Sequence, residues 1–289
     1  MKRILSCTAS DFQTPFTRLE LKQAIEASEG RVIMSQSAVG SECLIGGVTN
    51  AEMLASFGSD MILLKVIDVE HPIVQGLVSD NVIKDLKHLC GKLIGVNLEV
   101  IGEHHLQYEN GTTLSEKTIE KAVALQPDYM CLTAYRNREG NTSEALLEAI
   151  ALVRQHWNGL LIMNKYANAK ELKQETSWEA YIEAGADIIT LPMPGSVSGV
   201  YVENLAPIAE RIKNAGGLVS MSVSTSQEGS DIETIKRMGI EAKQAGADLY
   251  DFGDANTNGI PSLDNIMALS LAIRGKRHTY FRIGSSIHR

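Results

Sequence analysis

The sequence predicts a closed (β/α)8 (TIM) barrel, and three observations lead to this fold class. Short apolar segments with strand character alternate with helical patterns, eight of each, over roughly 260 residues of the chain. The junctions between helix and strand repeat with a period of two units. Strict alternation requires crossover connections and parallel strands, and eight such units match a closed barrel. An open, doubly wound sheet is the alternative.

The predicted strands are short apolar runs bounded by glycine, proline and other small polar residues. Such runs are typical of strands that are buried on both faces, as in a parallel sheet covered by helices. They cover residues 32–37, 61–66, 93–100, 129–134, 160–166, 187–192, 218–225 and 249–253.

The predicted helices follow these strands, and one additional helix precedes the first strand. This leading helix covers 17–28, where Thr17 and Glu20 form a capping box and Gly30 ends it. We expect it to cover the bottom of the barrel. The remaining helices are predicted at 51–57, 81–90, 116–125, 143–157, 177–184, 202–215, 232–245 and 263–274.

The junctions carry the two-unit repeat. Glycine residues precede the odd strands and can adopt the left-handed conformation that ends a helix. An aspartate directly precedes each even strand or begins it; these residues are Asp60, Asp128, Asp187 and Asp248. No linker or low-complexity segment interrupts the pattern, so we expect one domain over residues 1–289.

Composition limits the possible partners. The net charge of −8 and the isoelectric point near 5.4 argue against nucleic acid, which requires clustered Lys and Arg. The basic stretch at 274–282 is the exception, and we interpret it as a helix C-terminus with cations on the negative end of the dipole.

The cysteine spacing and the lengths of the apolar runs indicate the cellular compartment. The cysteines, at positions 7, 43, 90 and 131, form no Cys-x-x-Cys pair, so a zinc site or disulfide framework is not expected. Cys90 and Cys131 lie in apolar runs and should be buried. No apolar run approaches the roughly 18 residues of a membrane span, and the N-terminus lacks a signal-peptide core. We therefore predict a cytoplasmic protein without a membrane partner.

The reactive face of such a barrel lies at the C-terminal ends of its strands, and the loops after strands 7 and 8 often bind phosphate. Here these loops and the loop after strand 6 are small and polar, and each leads into a helix whose free N–H groups favour an anion. The alternative is that they are only turns with N-cap residues. The predicted anion-binding residues are Gly195, Ser196, Ser224, Thr225, Ser226, Gly253 and Asn256.

Acidic residues follow strands 2 and 3, together with His71, His104 and His105. Hard cations such as Mg²⁺ prefer carboxylate oxygens, and neighbouring strand ends could bring Asp68 and Glu99 to one ion. We predict that this pair binds a divalent metal or acts as a base, although the spacing matches no metal motif and acidic loops are often only solvated.

Lys165 ends strand 5, and we expect it to enter the barrel mouth. There it would act as a base, a Schiff-base nucleophile or an anion contact. A structural ion pair with Glu99 or Asp254 is the alternative. We predict that Asp254, after strand 8, orients a substrate hydroxyl.

Several segments resemble an uncharacterised bacterial family of (β/α)8 proteins that often occurs beside sugar phosphotransferase systems. They are Ala-Gly-Ala-Asp-Ile-Ile from residue 184, Pro-Met-Pro-Gly-Ser-Val-Ser-Gly from 192, Thr-Ser-Gln-Glu-Gly-Ser-Asp from 225, Phe-Gly-Asp-Ala from 252, and the helix at 265–280. Family members carry labels such as phosphoenolpyruvate phosphonomutase-like or haloacid dehalogenase-like hydrolase. The dehalogenase label conflicts with the absence of an Asp-x-Asp nucleophile near the N-terminus.

Two loops depart from this family. After strand 4, a bulky basic loop at 134–140 replaces a glycine-rich one, and Arg136 or Arg138 could replace its anion contact. After strand 8, Asp-Ala-Asn at 254–256 replaces Asp-Ala-Gly. We add Arg136 to the predicted anion-binding residues.

These observations predict an enzyme with lyase or isomerase chemistry that acts on a small anionic metabolite. A phosphorylated metabolite is the favoured substrate. Lys165, Glu99, Asp68 and Asp254 are the predicted catalytic residues. A non-catalytic barrel that senses a sugar phosphate and a metal-dependent hydrolase are the alternatives. The sequence shows no nucleotide or flavin signature. A homo-oligomer is expected, because the outer helices of such barrels often pair subunits.

Overall fold

The computed structural model describes residues 1–101, 110–135, 142–165 and 167–289 and confirms the predicted barrel. All strand pairs are parallel and follow sequence order, and the pairing of the last strand with the first closes the sheet. The strands are β1 (Val32–Ala38), β2 (Met61–Lys65), β3 (Leu93–Glu99), β4 (Tyr129–Ala134), β5 (Leu160–Lys165), β6 (Ile188–Pro192), β7 (Leu218–Val223) and β8 (Leu249–Phe252).

The helices surround this barrel. Two short helices, α1 and α7, were not predicted, and the last helix continues to Gly284 with a break at Gly275, where φ is +70°. The helices are α1 (Ala9–Gln13), α2 (Arg18–Glu26), α3 (Asn50–Ser56), α4 (Val82–Cys90), α5 (Glu116–Ala124), α6 (Ser143–His156), α7 (Ala169–Gln174), α8 (Trp178–Ala184), α9 (Val202–Asn214), α10 (Ile232–Gln244) and α11 (Leu263–Gly284).

The leading helix α2 closes the bottom of the barrel, as predicted. Its capping box is present, because the Thr17 hydroxyl accepts from Glu20 N and the Glu20 carboxylate accepts from Thr17 N. Leu21 and Ile25 are fully buried, and they pack with the inward-facing apolar residues at the lower ends of the strands. Outward-facing residues of the same strands form a second apolar core beneath the helices.

Each aspartate at an even-strand junction binds the second residue of the preceding odd strand. Asp60 N donates to Ile33 O at 2.8 Å, and Ile33 N donates back to the Asp60 carboxylate at 2.9 Å. We call these paired bonds the aspartate clamps. The other clamps join Asp128 to Ile94, Asp187 to Leu161 and Asp248 to Val219.

A cation accompanies every clamp. Arg274 and Arg282 of α11 both bind the Asp60 carboxylate, and all three side chains are at most 1% exposed. Burial lowers the pKa of Arg274 to about 10, and the charge of Asp60 opposes this effect. The remaining cations are Lys87 at Asp128, Arg18, Lys22 and Arg154 at Asp187, and Lys213 at Asp248.

The basic stretch at 274–282 is therefore more than the dipole-stabilising helix end that we expected. Its first and last arginines are buried and hold α11 against the lower rim of the barrel. Arg274 also donates to the backbone oxygens of Arg31 and Gly58.

Cys90 and Cys131 are buried, as predicted, and the four cysteines are all free thiols. Within the described ranges, no helix combines the length and apolar character that crossing a bilayer requires.

Replacing Arg274 with Met should lower the free energy of unfolding by about 3–5 kcal/mol, because Asp60 would keep a buried charge with one partner fewer. Lys213→Met is the matched control. The Lys213 side chain is 39% exposed, so losing its ion pair should cost about 1 kcal/mol or less. Urea unfolding measures both values. If both variants lost the same unfolding free energy, the greater burial of the Asp60 clamp would not make it more stabilising than the Asp248 clamp.

Candidate functional site

The inward face of the barrel changes from apolar at the bottom to polar at the top. The lower inward positions are occupied by residues such as Met34, Leu63 and Ile162, which belong to one apolar cluster. Side chains alternate between the two faces of a strand. Above the apolar residues, every strand contributes at least one buried polar side chain on the same, inward face. We call this region the polar chamber; its residues are Gln36, Lys65, Asn97, Glu99, Thr133, Asn164, Thr190, Ser220, Ser222 and Asp251.

Lys65 is the cation of the polar chamber. It ends β2, is 1% exposed, and lies with its Nζ 5.3 Å from the centre of the Tyr135 ring. Its ammonium group donates to Thr133 Oγ1 at 3.3 Å, and Thr133 in turn donates to Asn97 Oδ1. Because an ammonium group can only donate, this chain fixes the orientation of the Asn97 amide. Asn97 Nδ2 is a buried donor that has no partner among the described residues.

Asp251 is a carboxylate of the chamber, on β8. Gln36 Nε2 donates to both of its oxygens, at 3.0 and 2.8 Å. Burial raises the pKa of Asp251 to about 6, while hydrogen bonds from Gln36 and Ser222 and the charge of Lys65 act in the opposite direction. A carboxyl group with such a pKa can release and accept a proton near neutral pH.

Several polar atoms of the chamber are buried and have no partner within the described residues. Proteins nearly always satisfy such groups, so water or a ligand must complete them. Most can donate a hydrogen bond, which favours a ligand rich in oxygen acceptors. These atoms are Gln36 Oε1, Asn97 Nδ2, Asn164 Nδ2, Thr190 Oγ1 and Ser220 Oγ.

Lys165 does not project into the chamber, which corrects our prediction. It has the outward parity of Leu161 and Met163, and its ammonium group binds the carboxylate of Glu175 and lies 3.4 Å from Ser143 Oγ. Glu175 also accepts from Tyr181 OH at 3.0 Å. Lys165 therefore anchors α6 and the segment after α7 to β5, and the ion partner that we expected, Glu99 or Asp254, is replaced by Glu175.

Glu99 and Asp68, the predicted metal pair, differ in their placement. Glu99 is the last inward residue of β3 and is 7% exposed. Asp68 lies in the loop after β2, with a side chain 43% exposed, and its carboxylate accepts from the backbone N–H groups of Glu70 and His71. The Asp68 carboxylate thus stabilises a turn at the edge of the mouth.

A three-residue ligand group occurs elsewhere. Among the described residues, Glu116, Glu120 and His156 place ligand atoms within 4.8 Å of one another, on the outside of α5 and α6. Asp68 and Glu99 do not belong to such a group within these residues. The predicted His104 and His105 lie outside the described residues.

Some of the predicted anion-binding residues converge. Ser196, Ser224 and Thr225 line a cavity of about 50 Å³ together with Asn164, Thr190 and Ser222 of the chamber. Lys165 also lines this cavity. Thr225 Oγ1 donates to Ser196 O at 3.2 Å, which joins the loops after β6 and β7.

The other predicted anion-binding residues are not among those that line this cavity. Gly195 and Ser226 have left-handed backbones, with φ of +78° and +68°. Asn256 faces Gly229 across the loops after β7 and β8. Arg136 is outside the described residues.

Glu228 fills the space between the loops that follow β7 and β8. It is fully buried, and its Oε1 accepts from Ala255 N at 3.0 Å. Burial raises the pKa of Glu228, hydrogen bonds from the backbone oppose this, and the charge of Asp254 raises it further. Asp254 itself is half-buried beside this carboxylate, at the rim of the barrel.

Our sequence reasoning missed Lys65 because it considered the ends of the strands without counting inward and outward positions. Side chains alternate along a strand, so the inward Met61 and Leu63 imply an inward Lys65. The same count, from Leu160 and Ile162, selects Asn164 and rejects Lys165.

Comparison with known proteins assigns a family. A family model described as a domain of unknown function, DUF7916, matches residues 5–289. The chain belongs to this family. A comparison with proteins that have curated descriptions found no match to this chain.

Solved structures of other proteins have a fold similar to that of this chain, and three of them are an aldolase, a methyltransferase and an acetylhydrolase. An archaeal fructose 1,6-bisphosphate aldolase is 15% identical, with a TM-score of 0.55 over 86% of this chain and 96% of that one. A methyltransferase from Methanosarcina mazei is 13% identical, with a TM-score of 0.54 over 89% and 98%. Oxaloacetate acetylhydrolase is 13% identical, with a TM-score of 0.50 over 83% and 81%. At these identities the likeness shows the barrel fold alone.

The raised pKa of Asp251 predicts a pH-dependent stability. Between roughly pH 4 and pH 6, the unfolded chain has released this proton while the folded protein, with a pKa of about 6, still binds it. Stability should therefore fall as the pH rises through this window, by roughly 2–3 kcal/mol from this group. Asp251→Asn removes that contribution.

Urea unfolding of both proteins at about pH 4.0, 5.0 and 6.5 tests this linkage. The difference in unfolding free energy between Asp251→Asn and the parent should change by this amount across the series. A difference that stays constant with pH would contradict the raised pKa.

Proposed function

We propose that this barrel is an enzyme of lyase or isomerase type that acts on a small anionic metabolite in the polar chamber. The observation that carries the proposal is the inward Lys65 on β2, which lies in one chamber with an Asp251 carboxyl group of raised pKa. A buried cation and a carboxyl group that titrates near neutral pH are the groups that proton abstraction beside a carbonyl requires.

Each chamber residue has a role in this proposal. Asp251 takes the proton from the carbon beside the carbonyl, and the C–H electron pair moves toward the carbonyl oxygen. The ammonium group of Lys65 and the amide donor of Asn97 stabilise the negative charge that forms there. The donors of Asn164 and Thr190, which lack partners within the described residues, hold a second oxygen-bearing group, such as a carboxylate.

The comparisons support the fold on which this proposal depends. Two similar structures are an aldolase and an acetylhydrolase by name, and we propose lyase-type chemistry for this chain as well. The proposed reaction itself is derived from the chamber's side chains.

A divalent metal such as Mg²⁺ at Asp68 and Glu99 stays a prediction. Most of the unpartnered polar atoms among the described chamber residues are donors, which bind ligand oxygens and cannot bind a cation. No step of the proposed reaction therefore uses a metal.

The other expectations from the sequence also stay predictions. They are one domain, a homo-oligomer, the cytoplasm, a bacterial source beside sugar phosphotransferase systems, and the lack of a nucleic-acid or membrane partner.

Exchange of the pyruvate methyl protons in D2O, followed by proton NMR, tests the proposed proton abstraction. Pyruvate is a suitable probe because it is a small 2-oxo acid whose carbon–hydrogen bonds lie beside the carbonyl. The protein should accelerate exchange, and Lys65→Met and Asp251→Asn should each reduce the protein-dependent rate about 100-fold or more. Lys121→Met, on the exposed face of α5, is the matched lysine control and should retain the parent rate.

Three results would contradict this function. Exchange no faster than in buffer, despite saturable pyruvate binding, would favour the sensing barrel. Unchanged rates in both chamber variants would remove Lys65 and Asp251 from the reaction. Loss of exchange in Lys165→Met but not in Lys65→Met would return the catalytic role to the outward lysine.

A further inference from the structure

Glu228 occupies the place where a barrel of this kind commonly binds a phosphate group. That place lies between the loops after strands 7 and 8, where backbone N–H groups point to the ligand. Here the carboxylate of Glu228 comes from the β7 loop and accepts from Ala255 N of the β8 loop. The other oxygen, Glu228 Oε2, is buried and has no hydrogen-bond partner within the described residues. A carboxyl group that belongs to the protein thus uses a backbone N–H group of the β8 loop that a phosphate would use.

The two loops pack tightly against each other at this point. Gly253 lies so close to the β7 loop that a Cβ atom there would be 2.6 Å from Ser224 Cβ and 3.1 Å from Glu228 Oε1. Glu228 itself is fully buried. The two loops and the carboxylate therefore form one closed unit.

The β7 loop is also held in position from the outside. Asn265, at the start of α11, donates from its amide to the backbone oxygens of Glu228 and Ser230, at 2.8 and 2.7 Å. Asn265 is 2% exposed. These buried hydrogen bonds fix the backbone of the loop from which the Glu228 side chain extends.

Charge opposes an additional anion as well. Asp254 lies close enough to Glu228 to raise the pKa of that carboxyl group. Two neighbouring carboxyl groups would repel the two negative charges of a phosphate monoester.

We propose that Glu228 is a built-in anion that excludes phosphorylated ligands, and that the substrate is an unphosphorylated small carboxylate. This inference rests on the proposed function for the substrate class, and it replaces our expectation of a phosphorylated metabolite. The carboxylate of the ligand binds in the polar chamber, at the donors of Asn164 and Thr190. Glu228 acts as a specificity-determining residue and has no part in the chemical step.

Thermal unfolding with and without about 10 mM inorganic phosphate tests the exclusion directly. The parent protein should show no phosphate-dependent shift. Glu228→Ala empties the space and exposes the backbone N–H groups, so phosphate should raise its melting temperature by at least about 2 °C. Glu228→Gln keeps the volume and should not respond. Glu233→Ala, an exposed glutamate on α10, is the matched control and should also not respond.

The ligand class is tested with a matched pair, glycolate and 2-phosphoglycolate, by calorimetric titration of the parent protein. Glycolate should bind at least about 10-fold more tightly, and Glu228→Ala should lower or reverse this ratio.

Two results would overturn the inference. The first is a folded Glu228→Ala protein that gains no response to phosphate. The second is a parent protein that prefers 2-phosphoglycolate. Failure of the proposed function is distinguishable, because it would be seen as absent proton exchange in pyruvate while the phosphate response of Glu228→Ala persists.

Discussion

The pairing register of neighbouring strands is the constraint on which the rest of this structure depends. At the lower rim, the aspartate clamps join each even-strand junction to the second residue of the odd strand before it. Each clamp contains two backbone-directed hydrogen bonds and a paired cation. A buried carboxylate that lost these bonds would be strongly destabilising, so a slipped register is disfavoured. The clamp at Asp60 is the most buried and recruits the last helix through Arg274 and Arg282.

Register determines function in this fold because it determines which side chains face inward. A shift of one residue would place Lys165 in the mouth and Asn164 under the helices. With the register observed, the lower interior is apolar and the upper interior is polar. The apolar floor excludes water from one side of the chamber, so charges above it interact more strongly than at a surface. That burial is the main cause of the raised pKa of Asp251.

Most of the fold could be predicted from the sequence, because hydrophobic pattern and glycine junctions report local structure. The strands begin and end within a few residues of their predicted limits. The repeated aspartates were visible, but their bonds join strands that lie about 30 residues apart, and no local pattern describes such contacts. The helix α1 is short and carries little periodic signal. The extension of α11 past Gly275 depends on the ion pairs with Asp60, which are tertiary contacts.

The site was predicted less completely, for physical reasons that differ by residue. Lys65 could have been found by counting parity along β2, whereas the turn around Asp68 required knowledge of the loop conformation. The loops after β6, β7 and β8 follow the strands that the sequence predicted, yet their small residues are equally compatible with a bound ligand and with an internal carboxylate. Only the position of Glu228 separates these two cases.

A high-resolution crystal structure of the protein with bound pyruvate tests the central claim, that the inward polar residues form one ligand chamber, most directly. The account predicts ligand oxygens within hydrogen-bonding distance of Asn97 Nδ2 and Asn164 Nδ2, with the Lys65 ammonium group facing the ligand. A Lys65 side chain turned away from the barrel axis, or pyruvate bound only outside the barrel mouth, would contradict it.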